Sequence, residues 1–219
     1  MSMELPQCLS ALSPRSMDEI AAATLAVQAN VVTLRVALER KVGHMEGLDD
    51  IRTPAPGAVT QMRHLLLDRE TVKAYTPDET MMRLRQVWGE FCALCWLFPF
   101  VKPQSPMDFH SLSPAQAMRC CGDVLSKQEQ VQRNLWRIRL EMRLRFDEAA
   151  RRDPAMQREF ETAAMHSVSI YGEDVRFCSN DALFAAACEH AGMLAALRWA
   201  SDDRWEWEAP GIMDVVLTN

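Results

Sequence analysis

Apolar residues recur at helical spacing along most of the chain, and the segment 126–152 is the clearest example. At about 100° per residue, one apolar row of this segment falls on a single face. It consists of Val131, Leu135, Ile138, Met142, Phe146 and Ala149. A second row of Trp136, Leu140 and Leu144 lies roughly opposite. Because a surface helix needs only one apolar face, the two rows predict a central helix with neighbours on both sides.

Helix start signals divide the rest of the chain. Ser16 with Glu19, and Thr76 with Glu79, have capping-box spacing, in which side chains bond the free N–H groups of the first turn. Such signals, with the apolar period, predict helices that begin near residues 16, 58, 76, 113, 126, 153 and 180. The helix near 113 either ends before residue 126 or continues into the central one. Loops are predicted between residues 49 and 57, 98 and 113, and 172 and 180.

The C-terminal tail has a different pattern. Residues 204–208 alternate with period two, a Pro-Gly turn follows, and residues 212–217 are rich in β-branched side chains. This favours a small C-terminal β-hairpin. We therefore predict an all-α fold, a bundle of six or seven helices around the central helix, with that hairpin added. The divisions are an N-terminal arm at 1–15, a single helical domain at 16–200, and a tail or hairpin at 201–219.

The charge of the central helix differs from that of the whole chain. The chain of 219 residues has a net charge of −6, whereas segment 126–152 has eight basic and four acidic residues, a net charge of +4. Its arginines either extend past the core and pair with carboxylates of neighbouring helices, or contact an anionic partner. In the second case Arg137 and Arg143 are the partner-binding candidates. The acidic total makes nucleic acid an unlikely partner.

The N-terminal sequence, which does not fit a signal peptide, and the cysteine usage favour a cytoplasmic protein. The first residues contain a glutamate where a signal peptide has positive charge, and no apolar stretch of about 18 residues is evident, so no membrane association is expected. The seven cysteines have no regular spacing, which is typical of reduced, buried thiols.

Catalytic and metal-binding patterns are weak. Cys92 and Cys95 form a C-x-x-C pair, which suggests a thiol-dependent redox enzyme as an alternative function, but they lie at a helix C-terminus, where the dipole disfavours a thiolate. A zinc site with Cys120 and Cys121 is disfavoured because adjacent helical cysteines do not easily face one ion. We predict no cofactor and no metal, and enzymatic activity is not favoured.

The tail contains the best candidates for a contact surface. Trp205 and Trp207 are interleaved with acidic residues, and Arg204 precedes them. Aromatic anchors within a polar rim are typical of protein interfaces, although the tail folded back on its own core is an equal alternative. We hypothesise a non-enzymatic adaptor, inhibitor or regulatory subunit that binds a protein partner through helix faces and the tail. A homodimer formed through the tail, and a nucleic-acid-binding regulator using the Arg-rich helix, are further alternatives.

Overall fold

The structure of the protein is a computed structural model that describes residues 14–43, 60–98, 119, 121–165 and 167–207. Within these residues the fold is almost entirely helical. The α-helices are α1 (Met17–Lys41), α2 (Arg69–Ala74), α3 (Pro77–Trp96), α4 (Cys121–Phe146), α5 (Glu148–Arg152), α6 (Pro154–Ala164) and α7 (Asn180–Ser201). A 3-10 helix spans Thr60–Leu65, and strands β1 (Ser169–Ile170) and β2 (Glu173–Asp174) pair antiparallel. The predicted class, an all-α bundle with a small hairpin, is confirmed.

Capping residues fix the helix starts where their spacing predicted them. The Ser16 hydroxyl accepts the N–H of Glu19 at 3.3 Å, and the Glu19 carboxylate accepts the N–H of Ser16 at 2.9 Å. Thr76 and Glu79 repeat this exchange at the start of α3, at 3.2 and 2.7 Å. These bonds satisfy N–H groups that have no partner inside the helix, so both predicted starts are confirmed.

The centre of the bundle is the crossing of α3 and α7, which make the most extensive helix contact. Gly89 lies against the backbone of Glu189, and Gly192 lies against the backbone of Gln86, so the two helices run antiparallel. A β-carbon on either glycine would lie 2.0 Å from a carbonyl oxygen of the other helix. Only glycine allows this approach. The segment predicted as the central helix lies beside this crossing, and that part of the prediction is corrected.

Helix α4 has two apolar faces, as predicted, but different bounds. It begins at Cys121, so Ser126 lies inside the helix, and it ends at Phe146, where Asp147 caps the short α5. One face joins the main core through Val131, Leu135, Ile138 and Met142. On the other face Leu140 is buried in a second cluster with Ala150, Met156 and Ala163. Leu144 is half-buried, and Trp136 is 41% exposed, so the second row is covered only in part.

The single helix predicted for residues 58–75 is wrong. The backbone leaves helical geometry at Met62, and α2 begins only at Arg69. Asn30, buried on α1, accounts for the interruption: its Nδ2 donates to the carbonyl of Leu65 at 2.8 Å, and its Oδ1 accepts the N–H of Leu67 at 2.9 Å. A side chain thus supplies the bonds that a continuous helix would have made.

Within the described residues, the strand pair lies before α7. Tyr171 and Gly172, with φ of 51° and 91°, form the two-residue turn between β1 and β2. Positive φ at both central residues is the geometry that matches strand twist in a hairpin. Residues 205–207 are not in a strand. The rest of the predicted C-terminal hairpin, the helix predicted near residue 113 and most of the arm lie outside the described residues.

Candidate functional site

The turn that follows α7 is closed by one buried carboxylate. Asp202 accepts the backbone N–H of Arg204 at 3.1 Å, and its two oxygens bind the Arg204 guanidinium at 2.8 Å (Nε to Oδ1) and 2.6 Å (Nη2 to Oδ2). These hydrogen bonds hold the pKa of Asp202 below its usual range. The charge of Arg204, one of the predicted binding residues, is therefore largely balanced within its own turn.

Arg15 fastens this turn to the end of α7. Its Nε donates to the carbonyl of Trp199 at 3.1 Å, and its Nη2 donates to those of Asp203 at 3.1 Å and Trp205 at 2.8 Å. Its backbone N–H donates to the carbonyl of Ala200 at 3.1 Å, and its guanidinium lies 4.5 Å from the Trp199 ring centroid. The last carbonyls of a helix lack partners and carry partial negative charge, so a cation is well placed there.

The two tail tryptophans have different environments. Trp207 is half-buried, and its ring meets Trp199 edge to face at a centroid distance of 4.9 Å. Trp205 is 48% exposed, with the guanidinium of Arg198 5.6 Å from its ring centroid. The fold-back alternative therefore describes Trp207, whereas Trp205 keeps an open face. We call Arg15, Arg198, Arg204 and Trp205 the tail surface.

The predicted arginines of α4 lie elsewhere. Arg137 is 1% exposed, its Nη1 lies 3.2 Å from Oε2 of Glu141, and its guanidinium lies 5.2 Å from the Phe160 ring centroid. A partner cannot reach that guanidinium in this conformation, so its choice as a contact residue is corrected. Arg143 is half-buried.

The helix partners of α4 show how far these arginines are from the tail surface. Gln128 bonds the carbonyl of Leu197 at 2.9 Å, whereas Arg145 bonds the carbonyl of Cys178 at 2.7 Å. Helix α4 is therefore antiparallel to α7, and Arg143 lies toward the opposite end of α7 from Trp205. The ion pairs of Arg133, Arg137 and Arg145 join glutamates of α4 itself, Glu129 and Glu141, whereas one of the two predictions was pairing with carboxylates of neighbouring helices.

The C-x-x-C pair has an environment that suits protonated thiols. Cys95 is buried and Cys92 half-buried. Burial raises the pKa of Cys92 to about 11 and that of Cys95 to about 12. Because the thiolate is the reactive form, neither thiol is activated at neutral pH. Among the described residues, no group of three His, Cys, Asp or Glu side chains could hold a metal ion; Cys120 and the side chain of Cys121 are outside them.

The role of Arg15 was not predicted from the sequence, because its partners are 184 to 190 positions away along the chain.

Arg15→Ala removes all three side-chain bonds at once. We expect a loss of about 2 kcal/mol in the free energy of unfolding, measured by urea denaturation. Arg35→Ala is the matched control, since Arg35 forms a surface pair with Glu39 at 2.9 Å, and it should cost less than about 0.5 kcal/mol. Equal losses would contradict the role of Arg15.

Glu90, on α3, is a buried acid without a full set of partners. Within the described residues, its Oε1 has no hydrogen-bond partner. Burial raises the pKa of Glu90 from its ordinary value of 4.5 to about 7, although Arg83 opposes this shift. The folded protein thus holds the Glu90 proton more tightly than the unfolded chain does. The stability due to this proton is present below pH 4.5 and is lost as the pH rises through about 7.

Glu90→Gln should remove this pH dependence. We expect the variant to match the original protein near pH 4 and to be more stable at pH 8, by on the order of 2 kcal/mol, because an amide carries no charge to bury. Thermal unfolding at several pH values measures the difference. Glu161→Gln, at an exposed position of α6, is the control and should leave the pH profile unchanged. A profile unaffected by Glu90→Gln would contradict the assignment.

Helix α1 bears on the prediction that no segment of the chain could span a membrane. It is long and apolar enough to cross a membrane by length and composition, a test that core helices of soluble proteins also pass. The expectation that no such stretch exists is therefore corrected, and the absence of membrane association stays a prediction.

In comparisons with known proteins, no protein-family model, no curated protein and no solved structure matches this chain.

Proposed function

We propose that this protein is a non-enzymatic adaptor, inhibitor or regulatory subunit in the cytoplasm, and that it binds a protein partner through the tail surface. The observation that carries the proposal is the state of Trp205. The residue is 48% exposed, yet its backbone carbonyl accepts a hydrogen bond from Arg15 at 2.8 Å, and its ring centroid lies 5.6 Å from the Arg198 guanidinium. The side chain is therefore held at the surface with an open apolar face.

A tryptophan held in this way is suited to act as a binding anchor. Burial of a tryptophan in a partner's pocket is a common source of binding energy at protein interfaces. Since Arg15 and Arg198 already restrict Trp205, less conformational entropy is lost when a partner covers it. The charge of Arg204 is balanced by Asp202 in the same turn. The expected partner surface is an apolar pocket that accepts the indole of Trp205.

The two other classes of function have less support. A thiol enzyme needs a reactive thiolate, and burial moves the pKa of Cys92 in the opposite direction. A nucleic-acid-binding surface on α4 would need Arg137 at the surface, whereas its guanidinium is enclosed beside Phe160.

The test is affinity purification from native cells with mass spectrometry of the proteins that co-elute. Trp205→Ala should lower the affinity for the partner roughly 30-fold, because about 2 kcal/mol of binding free energy is lost. Less of the partner should therefore co-elute with this variant. Met165→Ala, at a side chain that is 76% exposed after α6, is the matched control and should recover the partner normally. Both variants should keep the original thermal midpoint. Equal recovery with Trp205→Ala and the original protein would overturn the proposal.

A further inference from the structure

Helix α1 has a second apolar row on the side that faces away from the core. The core row of α1 includes Ile20, Val27 and Leu34, all buried. On the opposite side the side chains are apolar but only half-buried. This outer row consists of Ala21, Leu25, Ala29, Val32 and Val36. At a rise of about 1.5 Å per residue, it is an apolar strip on the order of 22 Å long.

The middle of α1 lacks the charges that a solvent-facing helix normally has. From Ile20 to Leu34 the sequence IAAATLAVQANVVTL contains no charged residue. A helix that packs one face on a core usually presents charged and polar residues on the other. Here the polar residue nearest the outer row is Gln28, so four turns offer an uncharged surface. Such a strip is typical of a surface that another helix covers.

The two ends of α1 have opposite charge. Asp18 and Glu19 lie in the first turn, and Arg40 and Lys41 lie in the last, next to Glu39, whose carboxylate pairs with Arg35. Asp18 and Arg40 are both exposed, and each is eleven residues from Ala29 in the outer row. If a second α1 lies antiparallel on the first, with a two-fold axis near Ala29, the acidic end of each helix meets the basic end of the other. The surface is thus complementary to itself.

We infer that the outer row is a homodimer interface, in which α1 of a second copy of this chain packs antiparallel on the first. The inference is independent of the tail surface, because α1 contributes none of the residues that form that surface. A pair of four-turn helices falls at or below the lower edge of about 1,200 Å² for stable interfaces. The dimer should therefore exchange with monomer, and its fraction should rise with concentration.

Sedimentation velocity over a concentration series tests the interface on the full chain. The original protein should shift from monomer to dimer across the micromolar range. Val32→Glu, which places a carboxylate at the centre of the outer row, should weaken the dimer at least tenfold. Gln157→Glu adds the same charge at an exposed position of α6 and should have no effect. Circular dichroism checks that each variant keeps its helix content.

A charge exchange tests the antiparallel geometry without altering the apolar row. Asp18→Arg and Arg40→Asp should each weaken the dimer severalfold, because each sets like charges opposite one another. The double variant Asp18→Arg/Arg40→Asp should restore it. The two residues are about 33 Å apart on one straight helix, so only contact between two copies can couple them.

Three outcomes would overturn the inference. A monomer at every concentration would mean that another segment of this chain covers the outer row. A dimer that neither Val32→Glu nor the charge variants weaken would use another surface. A monomer that floats with phosphatidylcholine vesicles, and does not when Val32→Glu is present, would mean that the row contacts a membrane.

Discussion

Gly192→Ala should be among the most destabilising changes of one methyl group in the described helices, together with Gly89→Ala at the same crossing. The new β-carbon would lie 2.0 Å from the carbonyl oxygen of Gln86 and 3.1 Å from the backbone nitrogen of Glu90. These atoms belong to the backbone of α3, so the whole helix must move to make room. We expect a loss of at least about 3 kcal/mol in the free energy of unfolding, at the upper end for overpacked cores.

Chemical denaturation followed by circular dichroism measures this loss. Gly122→Ala is the matched control, because Gly122 is exposed in the first turn of α4. There the same substitution should be neutral or stabilising by up to about 1 kcal/mol, since alanine favours the helix. If both variants had the stability of the original protein, α3 and α7 could not cross at the distance described above.

Glu141→Gln should have the second largest effect. Oε2 of Glu141 lies 3.2 Å from Nη1 of Arg137, and its Oε1 lies 3.0 Å from Nε of Arg145. The Arg137 side chain is 2% exposed, so loss of the carboxylate would leave a buried guanidinium without a counter-charge. Breaking a buried pair in this way costs about 3 to 5 kcal/mol, and we expect a loss in that range.

A double-mutant cycle separates the buried charge from ordinary packing. Arg137→Met should cost less than Glu141→Gln, because Glu141 keeps its second ion pair, with Arg145 at 3.0 Å, and no buried charge loses all its partners. Arg137→Met/Glu141→Gln should then recover about 2 kcal/mol relative to Glu141→Gln alone. Glu129→Gln is the control: it breaks an exposed pair with Arg133 on the same helix and should cost less than about 0.5 kcal/mol. No recovery in the double variant would contradict this interpretation.

Local signals in the sequence predicted the local features of the fold. The capping boxes at Ser16 and Thr76 were visible because both partners lie within one turn of each other. The helix broken by Asn30 was not predictable in this way, because Asn30 and Leu65 are 35 positions apart. Residue spacing thus predicted the helix starts at Ser16 and Thr76, but not the start of α4, which lies at Cys121 rather than near residue 126. Contacts between distant segments decide where a helix is interrupted.

The central helix was misassigned because large apolar residues form a visible helical row in the sequence, whereas small residues do not. Two rows that include tryptophan and leucine made segment 126–152 look central. The closest crossing instead depends on Gly89 and Gly192, whose missing side chains leave no apolar period. Ala187, Ala191 and Ala196 of α7 are also buried, although their small side chains contribute little to an apolar row. Small residues should therefore be weighed beside apolar rows when a central helix is sought.

The candidate site was predictable in composition but not in arrangement. The tail tryptophans were recognised, yet only Arg198 and Trp199, on the last turns of α7, decide that Trp205 stays open while Trp207 packs inward. Arg137 has the sequence context of a surface arginine, and its burial depends on Phe160 of α6. No pattern in the sequence indicated the role of Arg15. In each case the deciding contact joins different elements of the fold.

Fluorine NMR of the protein labelled with 5-fluorotryptophan tests the role of Trp205 most directly. The chain has six tryptophans, and the resonances of Trp205 and Trp199 are assigned as those lost in Trp205→Phe and Trp199→Phe. When the co-purified partner is added to saturation, the Trp205 resonance should shift while the buried Trp199 resonance stays in place. A Trp205 resonance that remains unchanged with the partner bound would contradict the account.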